Sequence, residues 1–226
     1  MPGIGLLNEK ALHASLKQWY ARQGDRFEVP VSRFVIDIVR DDLLIEIQTG
    51  NFASIKSKLG HLVRSHQVRL VYPIVQEKWI VRSAAGDPDR VIRRKSPKRG
   101  RLEDLFREMV SIPQLLPHRN FSFEVLMIQE EQVRRYEGKR RWRRGGWAIE
   151  ARRLVEVVDQ RVFKEPADWR GFLPKGLESF TTEDLATAMG TGRDLAQKMA
   201  YCLREGNVIE LIGKRGRAHL YRVAGA

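Results

Sequence analysis

Between positions 34 and 48 the chain reads FVIDIVRDDLLIEIQ, two apolar, β-branched runs at 34–39 and 43–48 around a polar Asp41-Asp42 break. The pattern predicts a β-hairpin closed by a two-residue turn. Such a turn sets Arg40 against Leu43 and Val39 against Leu44, and brings Asp37 directly opposite Glu46. Val35, Asp37 and Val39 then share one side with Leu44, Glu46 and Gln48, while Ile36, Ile38, Ile45 and Ile47 fill the other. Strands apolar on both sides belong inside a sheet covered on both faces. A solvated acid pair is the bland alternative. The apolar neighbours weigh against it, because buried acids are usually paired or bound to metal. Like charges opposed across strands, roughly 4.5–5.5 Å apart at Cβ, call for compensation, and a divalent cation is the obvious candidate.

The same reading extends in both directions. Leu12, Leu16, Trp19 and Tyr20 recur at helical spacing within a helix at 4–22 that Gly24 ends. Glu9, His13 and Lys17 run along one stripe of it at i, i+4 and i+8, which alone would be a solvated face. A strand is expected at 27–31, before the hairpin. Ile55, Leu59, Leu62 and Val63 give a helix at 53–65 its inward stripe, with Lys56 leaning towards the hairpin and Lys58 and Arg64 looking outward. Further strands are predicted at 68–75 and 121–129, the latter at the far side of the sheet. The strand after the 53–65 helix should lie parallel in the same sheet, joined by a right-handed crossover. A shorter helix is expected at 102–110, after the basic loop RRKSPKRGR at 93–101.

Charge changes the picture. The 226 residues carry a formal net charge of +13 with an ordinary 42% hydrophobic content, and that excess points to a polyanion. No stretch is long and apolar enough to span a membrane, so a membrane partner is not expected. No signal peptide is visible, and Cys202, the single cysteine, rules out a disulfide framework or a Cys-rich zinc site. A cytoplasmic location is the expectation. The segment VRRYEGKRRWRRGGWAIEARR at 133–153 interleaves arginine with Tyr136, Trp142 and Trp147, and its glycines argue for a loop or hairpin tip. Arg140, Arg141, Trp142, Arg143 and Arg144 are its candidates for nucleic-acid contact, arginine on phosphate and rings on unpaired bases. The alternative is a solvated basic arm.

An Asp on one strand, Glu-x-Gln on the next, then a helix resembles the core of the PD-(D/E)XK, or restriction-endonuclease-like, nuclease superfamily. The order helix, three strands, helix, strand is similar to that core as well. The resemblance implies a mixed central sheet flanked by helices, over residues 1–165. It implies that Asp37 and Glu46 hold Mg²⁺ or Mn²⁺, and that Gln48 stands where the family usually has a water-activating lysine. Neutral Gln48 can position a water but cannot take its proton, so Lys56 is the expected migrated lysine. Glu9 resembles an additional acid that the first helix of the family often supplies, with His13 or Lys17 able to meet phosphate.

Pro and Gly punctuate 166–176 as a linker. The remainder, 177–226, looks like a small winged helix-turn-helix domain: a helix capped by Thr181 or Thr182, a Gly190-Thr191-Gly192 turn, a second helix at 193–205 and two strands around a basic wing. Arg193, Gln197 and Lys198 on the second helix, and Lys214, Arg215 and Arg217 on the wing, are the candidates for duplex contact. Two functions follow. One is a metal-dependent DNA endonuclease, which would act as a dimer if a single centre cuts both strands. The other is a catalytically inactive nuclease-fold protein that binds or regulates DNA.

Overall fold

The computed structural model describes residues 4–84, 87–136, 146–173, 176 and 178–225. Helix α1 (Ile4–Tyr20) precedes β1 (Arg26–Val31), β2 (Phe34–Arg40) and β3 (Leu43–Ile47); α2 (Lys56–Leu62) leads into β4 (Gln67–Ala84). After β5 (Asp87–Lys95) come α3 (Phe106–Met109), β6 (Phe121–Tyr136), β7 (Trp147–Phe163) and α4 (Pro166–Trp169). The chain ends in β8 (Ser179–Phe180), α5 (Thr182–Met189), α6 (Arg193–Glu205), β9 (Ile209–Arg215) and β10 (Ala218–Val223). The protein is α/β, with a large mixed sheet flanked by helices. Its strand order is β1-β2-β3-β4-β6-β7, and β5 pairs with β4.

The first three strands form two hairpins whose turns begin with Ser32 and Asp41 at φ 54° and 49°, a left-handed conformation tolerated by small polar residues. The β2–β3 ladder pairs Arg40 with Leu43, Val39 with Leu44 and Ile38 with Ile45, in the register expected of a turn at Asp41-Asp42. Beyond Ile38 the two strands part. β3 then runs parallel to β4, from Leu43 against Gln67 to Ile47 against Val71, across the crossover that holds α2. Pro73 follows two residues later on β4. Its missing N–H falls on the edge that β3 vacates, which is where a strand tolerates proline. Further along the same edge Gly100 N–H donates to the Val75 carbonyl at 2.9 Å, and β5 takes over from Trp79 onward. Between β3 and β5 the edge of β4 is therefore met by the 96–100 loop rather than by a strand.

Two layers cover the sheet. On one face Leu12, Leu16 and Tyr20 of α1 pack on Ile38, Ile45, Ile47, Val71, Leu126 and Ile128. On the other, Leu59, Leu62, Phe106 and Met109 join Leu70, Phe123 and Val125. Phe163, Trp169 and Phe172 cluster there, with Trp169 and Phe163 ring centres 4.6 Å apart. Each such ring, fully buried, contributes about 1.5–3 kcal/mol.

Several elements differ from the sequence expectation. The strand expected to stop at 129 runs to Tyr136, and it lies inside the sheet, parallel to β4 and antiparallel to β7. β7 forms that edge instead. The flanks of the 133–153 segment are strand, not loop, and residues 137–145 lie outside the described residues. β5 claims 93–95 from the expected basic loop. Segment 166–176 is not a loose tether, since Trp169 and Phe172 are almost wholly buried in the core. That same cluster continues into Leu185, Ala196, Ala200 and Leu203, so the C-terminal segment shares a continuous apolar core with the sheet.

Candidate active site

The site lies where β2 and β3 separate. Pairing at Ile38–Ile45, continued in register, would set Asp37 against Glu46, but the ladder gives way there to a side-chain bond. Ile47 N–H donates to Asp37 Oδ2 at 2.9 Å, so a carboxylate, not the partner strand, satisfies that donor. Asp37 also accepts from His13 Nε2 at 3.1 Å and stands 3.4 Å from Lys17 Nζ. Lys17 reaches Glu28 as well. Burial disfavours the Asp37 charge, yet the His13 and Ile47 hydrogen bonds outweigh it and hold the group below its ordinary value. The same bond to Asp37 raises His13 above its usual value.

Glu46 takes the opposite course. It is buried, and α2 brings Lys58 Nζ to 2.6 Å from its Oε1. That contact is an ion pair without hydrogen-bond alignment: Oε1 accepts no hydrogen bond, while Lys58 donates to the Val35 carbonyl at 2.6 Å. Burial pushes Glu46 up to about 7, against the pull of Lys58 and with a push from the Asp37 charge. One acid is thus held ionised by α1 and its neighbour is poised between states. Pairs driven apart by environment are a feature of functional sites.

Lys58, read from sequence as exterior, is the lysine that meets the acids; Lys56 is exposed. The helix begins one turn later than the pattern suggested, because Phe52–Ile55 is a 3-10 turn before α2. That phase difference turns Lys58, not Lys56, towards β2 and β3. Gln48 is half-buried and donates to the Gly50 carbonyl at 2.5 Å, which occupies its amide nitrogen. The backbone of Glu9 lies on α1, and its side chain is outside the described residues. Among the described residues no group of three or more His, Cys, Asp or Glu is gathered as a ready-made metal cage. Asp37 and Glu46 nonetheless offer oxygen donors of the kind a hard divalent ion takes, with the buried Glu46 Oε1 held only by its Lys58 ion pair.

The candidates for nucleic-acid contact divide. Arg140, Arg141, Trp142, Arg143 and Arg144 lie outside the described residues. On α6, Arg193 and Gln197 are exposed, and Lys198 is held by Asp194 at 2.9 Å. Lys214 and Arg217 are exposed on the β9–β10 turn, where Arg215 pairs with Asp184 at 2.9 Å. Sequence reading missed the cationic rings on the long strands. Arg93 and Lys95 lie over Trp79, at 4.7 and 5.3 Å from the ring centre, and Arg82 lies 4.9 Å from that of Trp147. Arg93 and Lys95, two residues apart and so on one face of a strand opposite Trp79, are the signal that would have found the first pair.

Fold and site define an α/β protein with two carboxylates at a split in its sheet, one met by His13 and Lys17 and the other by Lys58. The family described as a domain of unknown function, DUF8091, matches residues 10–164, and the chain belongs to it. An uncharacterized protein of Treponema pallidum (strain Nichols) is 32% identical over 221 residues, covering 97% of this chain and 87% of the relative. No solved structure matches.

Proposed function

We propose that this protein is a metal-dependent nuclease of the PD-(D/E)XK type, hydrolysing phosphodiester bonds in DNA, with its C-terminal helix pair and β-hairpin serving as a winged helix. The observation that carries the reading is the meeting of Asp37, Glu46 and Lys58 at the parting of β2 and β3. Asp37 and Glu46 would hold Mg²⁺ or Mn²⁺. Bound there, the ion would supply Lewis-acid stabilisation of the phosphoryl oxygens and a more acidic water. Lys58 places a positive charge beside Glu46, where it offsets negative charge developing on phosphate. His13 and Lys17 fix the Asp37 carboxylate in its ionised form. Glu46, raised by burial in the protein alone, would be held ionised by a bound cation.

A second reading rests on one observation: the three cations already neutralise both acids, and the Gln48 amide is engaged by its own loop. Under it the fold binds DNA without cutting it. Cleavage of labelled duplex with Mg²⁺ or Mn²⁺ separates the two. The nuclease reading expects Asp37→Ala and Glu46→Ala to abolish cleavage and spare binding. It expects Lys58→Ala to slow single-turnover cleavage by about 10²-fold or more, the scale of losing one electrostatic donor, with Lys56→Ala near wild type. Wild-type cleavage by Asp37→Ala would overturn it, and binding without any cleavage would establish the second reading.

A further inference from the structure

We infer that the segment from Arg93 to Arg101 is a sequence-independent phosphate-binding track, along which a nucleic-acid duplex passes from the β4–β5 hairpin to the α5–α6 turn. The inference deepens the proposed function by locating how the substrate is held. It rests on the nucleic-acid part of that reading and not on hydrolysis.

The track starts from strand register. Trp79 pairs with Lys95 on one side and with Glu131 on the other, and Val81 pairs with Arg93, so these side chains stand on one face of the sheet. Alternation along β6 makes it the face that carries Val125 and Met127, the side on which α6 packs. Arg93 and Lys95 are held over the Trp79 ring yet are 49% and 47% exposed. Arg93 is held by Glu131 at 2.7 Å and Lys95 by Glu77, so both are pre-positioned with solvent in front of them, a geometry that spares side-chain entropy on binding.

The next residues continue the line. Glu77 is shared by Lys95 at 2.7 Å and Arg99 at 2.8 Å, so one carboxylate faces two cations and leaves a net positive charge. Lys98 is exposed between them. The loop hugs β4 because residue 100 is glycine: a Cβ there would stand 2.6 Å from the Val75 carbonyl oxygen and 2.8 Å from Ile74 Cγ2. Arg101 then donates to the Met189 and Gly190 carbonyls at 2.9 and 3.0 Å, tying the loop to the end of α5. Exposed Arg193 begins α6 just beyond that turn.

The kind of ligand follows from the ring. A protein that stacks unpaired bases presents open aromatic faces. Trp79 presents a face already covered by cations, which suits phosphates of a duplex whose bases remain paired.

The test measures anisotropy of a labelled random-sequence duplex with the full-length protein in EDTA, which separates binding from cleavage, over a salt series. A variant combining Lys95→Ala, Lys98→Ala and Arg99→Ala should flatten the slope of log affinity against log salt by about two to three and weaken binding at least about tenfold. Glu77→Gln should act in the opposite direction, releasing two cations, tightening binding several-fold and steepening the slope. Slopes unchanged in both variants, with wild type binding normally, would overturn the track and leave the nuclease reading standing. Capture of wild type by phosphatidylserine vesicles but not by duplex would overturn the nucleic-acid reading with it. A wild-type preference for single strands that the triple variant keeps would also refute the track.

Discussion

Replacing Glu46 with glutamine tests the electrostatics of the site directly. Below about pH 4.5 the carboxyl is protonated in folded and unfolded chains alike and makes no pH-dependent difference. Between 4.5 and about 7 the unfolded chain loses the proton while the folded protein keeps it; above about 7 the folded protein carries a buried charge. A folded value raised above the unfolded one means that stability is lost as pH rises through this window. At about 1.4 kcal/mol per pH unit, the gap from 4.5 to about 7 corresponds to roughly 3 kcal/mol. The side chain is only 7% exposed, so solvent screening removes little of it. Glutamine keeps the shape and removes the titration. The stability difference between Glu46→Gln and wild type should therefore move in favour of the variant by roughly 3 kcal/mol between pH 4.5 and 8, about 6–12 °C in Tm for a chain of this size. Urea unfolding in EDTA at a series of pH values measures it, and groups common to both proteins cancel. Mg²⁺ at tenfold excess over its Kd should then restore about 1.4 kcal/mol to wild type at pH 8 and not to the variant. Parallel curves across the window would refute the burial argument for Glu46, and metal stabilisation of the variant equal to wild type would refute its place as a ligand.

Two further outcomes check the core. Cys202 is buried, with its thiol pushed up to about 12 by that burial, so it should resist a thiol reagent at pH 8 until urea unfolds the chain; rapid native labelling would contradict the packing of α6. Trp169→Ala, which empties the centre of the aromatic cluster, should cost about 3–5 kcal/mol in urea unfolding, and a loss near zero would return residues 166–176 to the status of a linker.

The hairpin was legible because its signal is local. Period-two alternation and a two-residue polar break fix which residues oppose each other, and the ladder from Arg40–Leu43 to Ile38–Ile45 keeps that register. The identity of the lysine was not. Helical phase depends on where α2 starts, and the 3-10 turn at Phe52–Ile55 shifts it by the few residues that distinguish Lys56 from Lys58. That turn is set from outside the segment: Glu108, over fifty positions away, accepts from Phe52 N–H at 3.1 Å. The length of β6 and β7 was hidden for a related reason. Glu130 and Gln132 break the apolar run, and they are buried because Arg152 bonds Glu130 at 2.8 Å and Arg134 bonds Gln132 at 2.7 Å. Glu130 is satisfied from the strands on either side, by Arg152 of β7 and Lys78 of β4, while the Gln132 partner lies two residues along β6 itself.

The join between the sheet and the C-terminal helices has the same character, and it bears on function. Proline and glycine at 166–176 read as a linker, and α6 read as a helix with one buried face. The structure buries Leu195, Ala196, Met199, Cys202 and Leu203 as the pattern predicts and adds Ala200, and α6 packs against α3 and the Pro113–Leu115 turn. Gly206 completes the approach: a Cβ there would lie 3.1 Å from Leu116. Arg101 and Arg107 reinforce the contact through the Met189 carbonyl and Asp194. Small residues on a helix look neutral in a sequence pattern, yet they are what permits close packing of one element on another. A helix pair fixed this way cannot swing to sample DNA independently of the sheet. Its position relative to the sheet that carries Asp37 and Glu46 is therefore set by the core.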